Sequence, residues 1–212
     1  MALTPYFGTY GRFVAREKAQ ASTLMGADTL VGDELVLRVE TREGKTHVFV
    51  DNRFGGSVGE LDAETAGVVQ LNRAKDWTVR VLLASVYRAP GDDVSFWGEV
   101  VVLAYGPAQA AAFDMFSAEI ARLLGEGVRP EVNLSGSSVD QIVESGGTWL
   151  PKGRHAKPNE REGVLIKDQL SLNDKMVEQA RKRNPGCMVA GWAFIGLLVV
   201  LALYLLKVLL GL

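Results

Sequence analysis

Apolar residues between positions 28 and 105 recur mostly at every second position, a spacing typical of β-strands. The segment LVLRVE places Leu35, Leu37 and Val39 on one face, and THVFVD follows after a short turn, which predicts a hairpin. Three further segments have strand character: GGSVGEL at 55–61, WTVRVLLASVY at 77–87 and FWGEVVVLAY at 96–105. Together they predict five or so strands in a small β-barrel or a strongly bent antiparallel sheet.

Other parts of the chain show the three- and four-residue spacing of helices. Asp62 suits the N-cap of a helix between the third and fourth strands. Pro107 can begin a second helical segment, and Ser138 with Gln141 forms a capping-box pattern for a third. The apolar positions of the second segment are Ala112, Phe113, Phe116, Ile120, Leu123 and Leu124. We therefore expect an α+β domain over residues 1–150, with a β module at about 28–105 and covering helices at 106–150.

The chain changes character after residue 150. Residues 151–167 are rich in Pro, Gly and charge, which predicts a polar linker. Residues 168–186 predict a juxtamembrane amphipathic helix, with Leu172, Met176 and Ala180 on one stripe. The segment 187–206, CMVAGWAFIGLLVVLALYLL, contains no charged residue. A helix of about twenty residues spans ~30 Å, the thickness of a bilayer core, so 187–212 is predicted to be a transmembrane anchor.

Basic residues are unevenly placed around this span. Arg181, Lys182 and Arg183 precede it, whereas only Lys207 follows within the apolar end. These four residues are expected to lie at the membrane surface. Because the more positive side of a membrane span remains in the cytoplasm, the N-terminal domain is expected to be cytoplasmic. The first residues show no signal peptide. The expected layout is a single-pass, tail-anchored protein, and small residues at Gly186 and Ala190 leave homo-oligomerisation open.

Composition narrows the function classes. The formal charge of −2 lacks the basic bias typical of dedicated nucleic-acid-binding domains. One cysteine excludes an intramolecular disulfide. This residue, Cys187, lies at the membrane boundary, where it is either acylated or simply the first small apolar residue of the span.

Catalytic and metal-binding patterns are sparse. The two histidines, His47 and His155, lack further ligands at suitable spacing, so no metal site is expected. No G-x-S-x-G motif occurs. The glycine-rich segment at 55–59 lacks the lysine of a phosphate-binding loop, so a bend or bulge in a strand explains it better. Asp92 and Asp93 are expected to be solvated in a turn. We expect neither enzymatic activity nor a cofactor.

Residues 32–86 resemble a HIRAN domain, a small β-barrel module. The resemblance rests on GDELVLRVE, on HVFVDNRFGGSVGELDAETAGVV, and on a helix leading into VRVLLASVY. Glu60 and Asp62 stand where the family has an aromatic residue and a proline, Val39 separates the Arg-Glu pair, and 41–44 replaces an Asn-Pro-x-Asp run. The match covers about a quarter of the chain. The resemblance implies a barrel. Because domains of this family bind single-stranded DNA ends, it also implies that activity, but no DNA-contacting residue of the family is assigned to a position in this chain.

Three functional hypotheses follow. In the first, a non-catalytic, barrel-like cytosolic domain binds a protein or peptide partner near the membrane. In the second, the domain binds single-stranded nucleic acid through aromatic and basic side chains, for which the candidates are Tyr10, Arg12, Phe13, Arg53 and Phe54. The alternative for these residues is that Tyr10 and Phe13 pack in the core and Arg12 is solvated. The third hypothesis, a membrane-bound enzyme, has no motif in its favour.

Overall fold

The computed structural model describes residues 5–42, 44–90, 95–159 and 163–181. The chain divides into two compact units, Met1–Leu170 and Ser171–Leu212, which are described separately. The first unit contains, in chain order, β1 (Tyr6–Ala15), α1 (Lys18–Met25), β2 (Glu34–Arg42), β3 (Lys45–Asp51), β4 (Ser57–Leu61), α2 (Ala63–Arg73), β5 (Thr78–Arg88), β6 (Phe96–Tyr105), a 3₁₀ turn (Pro107–Gln109), α3 (Ala110–Gly125), α4 (Gly136–Glu144) and β7 (Val164–Lys167).

Strands β1 to β6 form a closed antiparallel barrel. They pair in the order β2-β3-β4-β1-β6-β5, and β5 pairs in turn with β2 through Val81 and Leu82. Closure gives every barrel strand a neighbour on each side, so none of the six is left as an edge. The predicted small β-barrel is confirmed, and its helices make the unit an α+β fold.

Strand β1 lies outside the β module predicted at 28–105, yet the barrel closes through it. It pairs with β4 on one side and with β6 along its whole length on the other. Its alternation is interrupted by Gly8 and Gly11, where a Cβ atom would overlap the Val132 carbonyl and the Thr65 side chain. The glycines that weaken the strand pattern in the sequence are therefore required by close packing.

The barrel interior is filled by alternating side chains and is closed by α2. Asp62 caps this helix as predicted, accepting a hydrogen bond from the Thr65 amide at 2.8 Å. Ala66 and Val69 of α2 belong to the interior cluster. The other buried members of that cluster are Phe13, Ala15, Leu24, Leu35, Val48, Val50, Val58, Leu61, Val81, Leu83, Val86, Val100 and Val102.

A second apolar cluster lies outside the barrel wall. Alternate residues of β5 and β6, including Leu82, Val101 and Leu103, pack beneath Phe113 and Phe116 of α3. Both faces of β6 are therefore buried, which explains its nearly continuous apolar sequence. The helices were expected to cover an open face of a sheet. The barrel is closed, so they pack instead on its outer surface.

The segment predicted as a polar linker at 151–167 is partly built into the first unit. Strand β7 pairs antiparallel with the end of β5, and the His155 amide donates to the Arg129 carbonyl at 2.9 Å. The Lys167 ammonium donates to the carbonyls of Leu24, Gly26 and Thr29 at 3.0–3.2 Å. These bonds correct the linker prediction for the described residues of this segment.

The second unit is described over residues 171–181 and contains helix α5 (Leu172–Arg181). The Ser171 amide donates to Asp174 Oδ2 at 3.0 Å and the Asp174 amide donates to Ser171 Oγ at 3.2 Å, a reciprocal capping arrangement. Across the described ranges, no helix has the length and apolar character needed to cross a membrane. The predicted span at 187–212 lies outside the described residues.

Phe13 provides a test of the interior packing. It is fully buried, and a Cβ atom at Gly98 would overlap its ring while approaching the Ser85 carbonyl oxygen to 2.8 Å. We expect Gly98→Ala to lower the free energy of unfolding by about 1–3 kcal/mol through overpacking. Gly67→Ala, at an exposed α2 position with no atom within 4 Å of the new Cβ, should instead raise it by about 0.5–1 kcal/mol.

Urea-induced unfolding of the two variants and the parent would measure both effects. Equal stability of the Gly98 and Gly67 variants would contradict the close approach of Phe13 to β6.

Candidate binding site

A buried ion pair joins the outer barrel wall to the segments after α3. Arg129 and Glu99 are 6 % and 8 % exposed, and Arg129 Nη2 lies 2.9 Å from Glu99 Oε2. Ser85 Oγ donates to the same carboxylate oxygen at 2.9 Å, and Tyr87 Oη donates to it at 3.4 Å. We call these four residues the Arg129 cluster. Because a buried carboxylate needs a counter-charge and donors, the cluster keeps β5 and β6 attached to the chain around residue 129.

The Arg129 guanidinium makes two further hydrogen bonds and one contact with an aromatic ring. Nη1 donates to Ser85 Oγ at 3.3 Å, and Nη2 donates to the Ala156 carbonyl at 3.3 Å. Its central carbon lies 4.7 Å from the centroid of the Tyr10 ring. Among the described residues, buried Nε has no hydrogen-bond partner. The guanidinium thus links β1, β5, β6 and the segment near residue 156.

The Tyr10 ring lies between the Arg129 guanidinium and the His155 ring. One side of its ring faces Arg129, and the other stacks on His155 at 4.0 Å with an interplanar angle of 4°. Its hydroxyl donates to the Pro130 carbonyl at 3.0 Å. Burial raises the pKa of Tyr10 well above its usual range, so this hydroxyl remains a donor. Neither ring face is available for stacking on a base.

Arg12 and Phe13 are neighbours on β1 with opposite environments. The Arg12 guanidinium lies 4.0 Å from the centroid of a Trp97 ring, on the outer surface. Phe13 is fully buried in the barrel interior, as in the alternative that it packs in the core, and this excludes it from stacking on a base. Arg12 also lines a cleft of about 290 Å³ with Tyr10, Thr65, Glu99 and His155. Of the three candidates on β1, Phe13 is therefore excluded from nucleic-acid contact, whereas Arg12 reaches an open cleft.

Arg53 and Phe54 lie in the turn between β3 and β4. The Asn52 Oδ1 atom accepts hydrogen bonds from the Phe54 and Gly56 amides at 3.0 and 2.9 Å, and this fixes the turn. Phe54 is 60 % exposed, and the Arg53 guanidinium lies 4.8 Å from its ring centroid. The structure brings these two predicted residues together, but on a different element from Tyr10 and Arg12.

A groove of about 610 Å³ runs beside strand β7. It is lined by Tyr87, Lys157, Pro158, Gly163, Val164 and Leu165, and we call it the β7 groove. Tyr87 stacks on Trp97 at 4.2 Å and contacts Glu99, so the Arg129 cluster holds one wall of the groove. Burial raises the pKa of Tyr87, and its hydroxyl therefore remains protonated. Lys157 is paired with Asp168 at 2.6 Å at the rim.

Strand β7 is an edge strand among the described elements. It pairs with β5, and in the described part of the chain no strand pairs with its other side. Val164, Leu165 and Ile166 are 65 %, 38 % and 40 % exposed. An exposed apolar edge strand is a template for pairing with another extended chain. Since the Lys167 ammonium is bonded to three carbonyls of the barrel unit, this edge is held in place.

His47 and Arg181 are the remaining candidates within the described residues. His47 Nδ1 lies 2.6 Å from Glu60 Oε1, and the described residues contain no group of three or more His, Cys, Asp or Glu side chains that could hold a metal ion. Of the predicted membrane-surface residues, Arg181 ends helix α5. Lys182, Arg183 and Lys207 lie outside the described residues, as does Cys187.

Neither the Arg129 cluster nor the β7 groove was predicted from the sequence. Glu99 carried a signal, since it is the one charged residue in the apolar strand FWGEVVVLAY and a carboxylate there needs a partner. Arg129 lies thirty positions further along the chain and carries no comparable signal. The β7 sequence VLIK is short and follows the charged residues 160–162, which favoured a linker assignment.

Comparison of the chain with family models, curated proteins and solved structures finds no match. The site is therefore interpreted from its own geometry.

The Arg129 cluster predicts a large difference between two similar substitutions. Arg129→Met leaves the Glu99 carboxylate buried without its counter-charge, so we expect the free energy of unfolding to fall by about 3–5 kcal/mol. Arg122→Met removes exposed ion pairs with Glu119 and Glu126, and should change it by only about 0–1 kcal/mol.

Thermal or urea unfolding monitored by circular dichroism would measure the two variants. The double variant Arg129→Met with Glu99→Leu should recover part of the loss, because no buried charge remains. Similar losses for Arg129→Met and Arg122→Met would contradict a structural role for the cluster.

Proposed function

We propose that this chain is a membrane protein anchored through its uncharged segment 187–206, whose cytoplasmic barrel unit is a non-catalytic binding domain for an extended segment of a partner protein. The observation that carries the binding part is the exposed edge of β7 beside the β7 groove. The anchor rests on the uncharged segment 187–206 and on the basic residues before it.

The chemistry of the β7 edge favours an extended peptide as the ligand. A strand added to an open sheet edge obtains affinity from main-chain hydrogen bonds and specificity from pockets for alternate side chains. Here the edge presents backbone groups next to Val164 and Leu165, and the groove offers Tyr87 and Pro158 as apolar walls. We infer a partner segment with apolar residues at alternate positions, one of which enters the groove.

Tethering would make a modest peptide affinity sufficient. A domain held near a bilayer meets membrane-bound partners at a raised effective concentration, because encounter becomes nearly intramolecular. The short β7 strand limits the number of main-chain bonds with a peptide. We therefore propose that the partner is itself membrane-associated.

Binding of single-stranded nucleic acid is the alternative, with the HIRAN resemblance remaining a hypothesis. The exposed Phe54 ring next to Arg53 favours it, since this pair could stack a base and approach a phosphate. The placement of Phe13 in the core and of Tyr10 between Arg129 and His155 counts against a continuous stacking surface. For this reason we favour the peptide ligand.

The peptide proposal can be tested by selecting random extended peptides, displayed in a library, against the full chain in detergent micelles. We expect enrichment of sequences with apolar residues at alternate positions. Val164→Asp places a carboxylate at the edge and in the groove, and should weaken a selected peptide about tenfold or more. Val36→Asp, at a valine of β2 with a similar exposed fraction, should alter affinity by no more than about twofold.

N-methylation of alternate peptide amides supplies a second control, because it removes main-chain donors without changing side chains. The proposal fails if no peptide is enriched, or if the Val164 and Val36 variants bind the selected peptide equally well.

Titration of a labelled single-stranded oligonucleotide with the full chain tests the alternative. Phosphate contacts are strongest at low salt, so nucleic-acid binding would give saturable binding there and a loss of affinity as salt rises. On the peptide proposal we expect no saturable binding at low salt. Saturable binding that Arg53→Ala together with Phe54→Ala removes would instead support the nucleic-acid function.

A further inference from the structure

Helix α5 has an exposed apolar stripe. Leu172 and Met176 are 81 % and 69 % exposed, and they are four residues apart on the same face of the helix. A helix of ten residues is marginal on its own in water, so its apolar face needs a surface to cover it. The identity of that surface can be inferred from the charges around the stripe.

Both carboxylates of α5 lie away from the stripe, and one lysine lies at its margin. At about 100° per residue, Lys175 lies about 80° from the middle of the Leu172–Met176 stripe, whereas Asp174 and Glu178 lie about 180° and 140° away. Arg181, the last residue of the helix, falls at about 160° on the same count. A lysine at the margin of an apolar face can extend its ammonium along the surface that the face contacts. Carboxylates on the opposite side avoid that surface. This order fits an anionic surface that is apolar at depth.

The chain that follows the helix also combines basic residues with an apolar segment. After Arg181 come Lys182 and Arg183, and the uncharged segment begins at Cys187. No more than five residues, 182–186, separate α5 from the proposed span. A helix joined to a membrane span by so short a connection remains within reach of the bilayer surface.

We propose that α5 lies in the plane of the membrane, with Leu172 and Met176 inserted at the boundary between headgroups and acyl chains and Lys175 beside anionic headgroups. The proposal rests on the anchor of the proposed function and adds a lipid-binding element to it. An amphipathic helix with low net hydrophobicity and a cationic margin is the type that binds at such an interface. In this arrangement α5 fixes where the chain leaves the bilayer.

The test uses the full chain carrying Cys187→Ser, which removes its single cysteine, and a new cysteine labelled with an environment-sensitive fluorophore. Met176→Cys places the label on the stripe, and Glu178→Cys is the control on the opposite side. Each protein is reconstituted in vesicles of neutral lipid, or of neutral lipid with anionic phosphatidylserine. Brominated acyl chains report on insertion and aqueous iodide reports on exposure to water.

We expect the label at position 176 in anionic vesicles to be quenched by brominated lipid and protected from iodide, with the reverse at position 178. Lys175→Glu should lower the ratio of inserted to exposed helix about tenfold or more, because it exchanges attraction to the headgroups for repulsion. High salt should reduce the difference between anionic and neutral vesicles.

Extraction with alkaline carbonate separates the two proposals. Protein that remains in the vesicles but shows equal iodide quenching at 176 and 178 would overturn the docked helix and leave the anchor intact. A label at 176 shielded from both quenchers would mean that protein covers the stripe, and would also overturn it. Release of the chain by carbonate would overturn the anchor, and the docked helix with it.

Discussion

The burial of strand β6 on both of its faces is the constraint on which the first unit depends. Val100 and Val102 point into the barrel, whereas Val101 and Leu103 point outward beneath α3. Complete burial of such a side chain stabilises the fold by about 1.5–3 kcal/mol, so each face of β6 needs apolar neighbours. The closed barrel provides them for the inward face, and the helices after residue 106 provide them for the outward face. The glycines at positions 59 and 98 leave room beneath for the Phe13 ring.

Glu99 is the exception along this strand, and the fold accommodates it by bringing Arg129 to the same place. The guanidinium neutralises the carboxylate and also contacts Tyr10, Ser85 and the Ala156 carbonyl. This one pair therefore attaches the chain at residues 129 and 156 to the barrel wall. The attachment continues to β7, whose Lys167 closes onto the carbonyls at the end of α1. The cluster around this buried carboxylate thus includes Tyr87, which forms one wall of the β7 groove.

The two units divide the proposed work. The barrel unit holds its only described edge strand through pairing with β5 and through Lys167, which favours recognition of an extended segment by backbone pairing. The described part of the second unit is a capped helix with an exposed apolar stripe and with both carboxylates of the helix away from that stripe. The binding edge proposed for one unit and the membrane-surface helix proposed for the other would suit a domain that operates close to a bilayer.

Local pattern was sufficient to predict most of the barrel. The alternation in 35–51 and 77–105, the Asp62 cap and the spacing at Phe113, Phe116 and Ile120 are local properties of the chain, and each element was found near its expected place. β1 was missed because Gly8 and Gly11 interrupt its alternation for a reason that lies in distant residues. For Phe13 the sequence left both base stacking and core packing open, because one residue's burial depends on which strands flank it.

What the sequence alone determined about this protein is therefore the type of most segments, the α+β class with a barrel, and an uncharged stretch long enough to cross a bilayer. Only the tertiary structure decided that β1 closes the barrel, that Arg129 meets Glu99, and that VLIK becomes an edge strand instead of part of a linker. The physical reason is range. Periodicity and capping act between residues a few positions apart, whereas ion pairs and strand pairing join residues whose separation along the chain leaves no local signal.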